Sequence, residues 1–182
     1  MADEEGASPR ELILEACRRN NTDLLSEVFE TVTASQKTQP AEEAIAALVN
    51  GSVDGIGNHC LHLAATYGSY EVIDHLLDQE GVEVDPVDRL EQDTPLHKAV
   101  RYINGLDKTD WEAGQALVEL LLDAGSDPRV RNKAKLKPMD LVDPRNMELR
   151  TMLQRAEFAM LAGNDIVVDD DDDAGGSGSE SE

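Results

Sequence analysis

The sequence predicts an all-α solenoid of about four stacked helix-turn-helix repeats, followed by a disordered acidic tail. Three observations point there. Two segments, 57–68 and 92–102, align with each other, and their Leu61 and Leu96 lie 35 residues apart. Self-similarity at such a period is the mark of a repeat architecture. Aromatic residues make up only 3% of the chain against 40% hydrophobic residues, so Leu, Ala, Val and Ile must build the core. That suits thin layers of stacked helices better than a sandwich or an aromatic-lined pocket. Finally, the composition changes at about Asp165: residues 165–182 hold eight acidic residues and no basic one. A segment so charged cannot bury enough apolar surface to fold.

The two clear repeats are expected at about 54–86 and 90–127. Each has an inner helix and then an apolar outer helix, with Val72, Ile73, Leu76 and Leu77 in the first and Leu117, Val118, Leu120, Leu121 and Leu122 in the second. Thr94 can cap its inner helix, and Pro95 suits the first turn, where a missing N–H is harmless. Small Ala64, Ala65 and Ala99 let neighbouring helices approach closely. Gly125 supplies a left-handed residue after the outer helix. Degenerate caps are expected at 9–50 and 128–162, since the face of a terminal repeat must meet water. The first holds Leu12–Cys17 and Leu24–Leu25. The second holds an inner helix at Lys137–Val142 and an outer helix at roughly Met147–Leu161, apolar at Leu149, Met152, Leu153, Ala156 and Phe158. Two insertions break the period. Residues 35–52 carry a short extra helix at Ala44–Val49, and residues 103–113 carry Trp111, the single tryptophan. The repeat domain thus spans 9–162, with the tail at 163–182.

Thr94-Pro95-Leu96-His97, with the Leu-Leu-x-x-Gly ending at Leu121–Gly125, resembles the ankyrin-repeat signature. The strings Asn20–Leu25, Tyr67–Ser69, Asp93–His97, Asp127–Asn132 and Lys137–Val142 are similar to a small fungal ankyrin-repeat family of about this length with an acidic C-terminal tail. The resemblance covers roughly residues 12–160. It implies the fold and, since that family has no settled biochemical activity, adds little about function.

The formal net charge is −22. Such a charge opposes nucleic acid and anionic membranes and favours basic partners. Cys17 and Cys60 lie in apolar helical contexts and read as buried, reduced thiols, which places the chain in the cytoplasm or nucleus. Residues 1–10 are acidic and lack the apolar run of a secretory signal. A monomer is expected.

His59-Cys60-x-His62 contains metal-ligand residue types, but the spacing does not make a four-ligand zinc site. His62 aligns with His97, and both are expected to hydrogen-bond turn backbone between repeats. No phosphate loop, nucleophile elbow or zinc-protease motif occurs, so neither catalysis nor a cofactor is expected.

Partner contacts are expected in three places: the concave face, the basic finger and the acidic run Asp169–Asp173. Tyr67, Arg101, Tyr102 and Trp111 fall at or near the ends of inner helices, on the concave side of the stack, and Tyr, Trp and Arg are typical interface anchors. Arg129, Arg131, Lys133, Lys135 and Lys137 place five of the sixteen basic residues within nine positions. If the finger that carries them is extended, its alternate residues form one basic ridge beside Val130 and Leu136. That ridge could meet an acidic partner or the chain's own Asp169, Asp170, Asp171, Asp172 and Asp173. Ser177 and Ser179 precede acidic residues in a way that resembles acidophilic kinase sites. The expected function is a non-enzymatic escort or assembly chaperone for a basic client protein. The alternative is a regulatory or scaffolding subunit.

Overall fold

The computed structural model describes residues 6–164. Asp169–Asp173, Ser177 and Ser179 lie outside the described residues. Eight α-helices are present among those described: α1 (Pro9–Arg19), α2 (Thr22–Ser35), α3 (Ala41–Gly51), α4 (Cys60–Thr66), α5 (Tyr70–Leu77), α6 (Pro95–Asn104), α7 (Trp111–Asp123) and α8 (Met147–Asn164). The inner helices α1, α4 and α6 stack in one layer, while α2 and α5 meet in the outer layer. α3 is the predicted extra helix and rests on α2 and α1.

Local chemistry explains the helix ends. Ser8 and Glu11 form a reciprocal capping box on α1, with Pro9 just inside the first turn. The Asn21 side chain accepts from Leu24 N at the start of α2. Thr94 caps α6 through the His97 amide, and Gly125 follows α7 at φ 98°, both as predicted. The core runs the length of the stack. Cys17, Ala64, Ala65, Ile73, Leu76, Leu96, Ala99, Val118 and Leu121 are fully buried. The alanines leave room for α1, α4 and α6 to pack side by side.

Repeats are also joined by polar bonds. The Ser69 hydroxyl donates to the Cys17 carbonyl at 2.6 Å, and Asn20 Oδ1 accepts from Val72 N at 3.1 Å. Both tie the first repeat to the second.

Three expectations need correction. The fourth inner helix is only a 3-10 turn, Pro138–Leu141, ending in extended Val142. The Asp143-Pro144 step explains this, because a residue before proline is pushed out of the helical region. The outer helix α8 buries Leu149 and Leu153, but Phe158 is 73% exposed. Finally, the 129–137 finger is not an extended ridge. Lys135 sits at φ 66°, and the chain closes on itself through Asn132 N to Leu136 O at 2.9 Å.

Candidate functional site

The concave side carries a groove of about 580 Å³ lined by Arg18, Asp54, Ile56, Asn58, Leu63, Thr66, Tyr67, Lys98, Arg101 and Tyr102. Its residues come from α1, the 54–58 turn, α4 and α6. Tyr67 caps the end of α4 and is 55% exposed, and Ile56 on the opposite turn is 54% exposed. Tyr102 is half-buried and lies over Gly68, where a Cβ would fall 2.2 Å from its ring. Gly68 also has φ 66°, so glycine is required there twice over.

The groove floor rests on a polar network that links successive repeats. His62 Nδ1 accepts from His59 N at 3.1 Å, and His62 Nε2 meets the Asp93 carbonyl at 2.7 Å. One repeat on, His97 Nδ1 accepts from Thr94 N at 3.1 Å, and Nε2 meets the Leu136 carbonyl at 2.9 Å. An acceptor Nδ1 places the proton on Nε2, so both rings are neutral donors to the next repeat. Burial pushes the His62 pKa down to about 4, and it lowers that of His97 as well. This is the inter-repeat role expected of both residues.

Carboxylates beneath the groove neutralise its cations. Asp93 is fully buried and accepts from Arg101 Nε at 2.8 Å and from Asn132 Nδ2 at 2.9 Å. Lys98 Nζ lies 2.8 Å from Asp88 and 3.5 Å from Asp93. Burial opposes ionisation of both carboxyls, yet Lys98 and the Glu91 amide at Asp88, and Arg101 and Asn132 at Asp93, hold them below the ordinary Asp value. The cations therefore present hydrogen-bonding heads without a large net charge. Arg18 on the rim has Glu15 at 3.7 Å.

The chain belongs to the ankyrin-repeat family. It matches the family described as Ankyrin repeats (3 copies) over residues 5–132. It is also 44% identical over 162 residues to the Ankyrin repeat-containing protein YGL242C of Saccharomyces cerevisiae, covering 88% of this chain and 84% of that protein. The ankyrin match stops at 132, ahead of the 3-10 turn and α8, which depart from a regular repeat. Ankyrin repeats are protein–protein interaction modules, and the concave groove lies on the inner-helix side of this one.

The ankyrin stack brings Tyr67, Arg101 and Tyr102 together but not Trp111. The 103–113 insertion carries Trp111 to the start of α7, between Lys108 and Arg145, each 6.0 Å from the ring. Its Nε1 is buried without a hydrogen-bond partner among the described residues. Of the finger cations, Arg129 is held by Asp127 at 2.9 Å and Lys137 by Glu157 at 2.6 Å, while Arg131, Lys133 and Lys135 are exposed. Sequence reasoning missed Lys98 and Ile56. Lys98 was findable, because it shares a helix face with Arg101 and Tyr102 at i+3 and i+4. Ile56 gave no signal beyond being an apolar residue in a turn.

Among the described residues, no group of three or more His, Cys, Asp or Glu is placed to hold a metal ion. Cys17 and Cys60 are both fully buried. The neighbouring Cys60 thiol and burial push the Cys17 thiol well above its ordinary pKa, which keeps it protonated and unreactive. No described helix is long and apolar enough to cross a membrane.

Proposed function

We propose that this chain is a non-enzymatic binding module that escorts one basic client protein through the cytoplasm or nucleus, as a monomer. The observation that carries this reading is the convergence of Tyr67, Ile56, Tyr102 and Arg101 in one concave groove. Exposed aromatic and aliphatic side chains there supply apolar contact, and Arg101 and Asn58 supply hydrogen bonds to a peptide backbone. The groove's own cations are neutralised from below, so it does not repel a basic segment. The net charge of −22 attracts such a client from a distance and opposes its premature capture by nucleic acid.

The test is a pull-down from native lysate with the full chain, with residues 1–164 and with Tyr67→Ser, each at low and high salt. One dominant basic protein, weakened by salt, by tail removal and by Tyr67→Ser, supports the escort. Its unassembled form should bind, and it should aggregate when the chain is absent. A neutral or acidic partner, held equally well without the tail, would make this a scaffolding or regulatory subunit instead.

A further inference from the structure

We infer that the 131–136 turn and the C-terminal half of α8 together form a docking face for the chain's own segment 166–173. This goes beyond the escort reading and does not depend on it. The first ground is charge. Cations are scarce in this chain, with 16 Lys and Arg against 38 Asp and Glu. Arg129 and Lys137 at the ends of the finger already have carboxylates, Asp127 and Glu157. The three between them do not: among the described residues, the Arg131 guanidinium donates to the Lys135 carbonyl at 2.8 Å, and no carboxylate lies within ion-pairing distance of Arg131, Lys133 or Lys135. Lys135 holds a left-handed backbone at φ 66°, where glycine would sit without strain.

The second ground is apolar surface. The Lys137–Glu157 contact at 2.6 Å fixes the finger against α8. Leu161 is one turn beyond Glu157 on the same stripe of the helix, with Phe158 beside it. Leu161 is 51% exposed, Phe158 73% and Leu136 on the finger 37%. Read backwards from the end of α8, the surface is therefore apolar first and basic second.

Segment 166–173 has the matching order. Ile166-Val167-Val168 comes first and Asp169–Asp173 follows. Asp165, the first residue past the end of α8, is a turn-forming residue type. A reversal there lays the apolar triad along Leu161 and Phe158. Glu157 lies seven residues before Asn164, roughly 10 Å along a helix. An extended chain from 165 to 169 covers roughly 13 Å, so the aspartates arrive at the level of Glu157, where Lys137 joins the finger to α8. Because the two parts are tethered, weak exposed ion pairs suffice to populate the contact.

The experiment compares backbone amide shifts of the full chain and of residues 1–164, with no client present, so its outcome is separate from that of the groove reading. The expected result is a set of differences at 131–136 and 157–161, unchanged on dilution and falling roughly two-fold or more at high salt. The doubly substituted full chain, Lys133→Glu with Lys135→Glu, should keep its thermal midpoint while its 157–161 shifts move to those of the truncated chain. Differences confined to 162–164 would overturn the inference, because any truncation perturbs the last helical turn. Differences that vanish on dilution would also overturn it, since they would mean docking on a second copy.

Discussion

The junctions between repeats two, three and four differ sharply from the free end of the stack. At the junctions each histidine has a following repeat to serve: His62 reaches Asp93 and His97 reaches Leu136. Buried Asp93 is met by Arg101 and Asn132, one from its own repeat and one from the next. Among the described residues, no further finger follows the last repeat to receive a histidine. Accordingly the last repeat has no such histidine, its inner helix shrinks to Pro138–Leu141, and Phe158 and Leu161 face outward. The signature residues therefore serve the junction with the next repeat as well as their own helix.

That contrast can be broken at its strongest point. Asp93→Ala leaves Arg101, Lys98 and Asn132 without their shared buried acceptor and should destabilise the fold by about 3 kcal/mol. Urea unfolding at neutral pH measures it.

Acidification attacks the same junction. The unfolded His62 titrates near 6.5 and the folded one near 4, so the unfolded chain takes up the proton first. Stability is then lost as pH falls from about 6.5 to about 4, by on the order of 3 kcal/mol from this residue. His97 adds in the same direction. The lowered Asp88 and Asp93 stay ionised through this window, and their contribution is lost only further down. Relief of the net negative charge works the other way, so the informative quantity is the difference in pH slope between the chain and His62→Gln. Matching slopes would mean that the ring titrates alike in the folded and unfolded chains.

A smaller effect is expected at the groove. Gly68→Ala places a Cβ at φ 66° against the Tyr102 ring. It should lower stability by about 1–2 kcal/mol and displace that ring, changing tyrosine fluorescence polarisation as well as the thermal midpoint. The smallest effect belongs to the free end. Phe158→Ser in residues 1–164 should change stability by less than about 0.5 kcal/mol, because a side chain 73% exposed has little burial to lose. A larger loss would show that the end of α8 is packed.

How much of this was legible in sequence follows the same division. Thr94-Pro95-Leu96-His97 and the 35-residue spacing of Leu61 and Leu96 located two repeats, because the chemistry of a junction is local and repeats. The alternation of Arg129, Arg131, Lys133, Lys135 and Lys137 suggested an extended finger with one basic ridge. The turn was hidden because it depends on Asn132, whose side chain accepts from Ala134 N and Leu136 N while its amide donates to Asp93 of the preceding finger. Tyr67, Arg101 and Tyr102 were placed together by their register on inner helices. Trp111 was not, since an insertion has no period to read.

The most direct test of the central claim is hydrogen exchange of the chain alone and bound to its purified client. Binding in the concave groove predicts slower exchange at 54–58, 66–68 and 98–102, with the outer helices α5 and α7 unchanged. Protection on α5 and α7, with the groove unaffected, would contradict it.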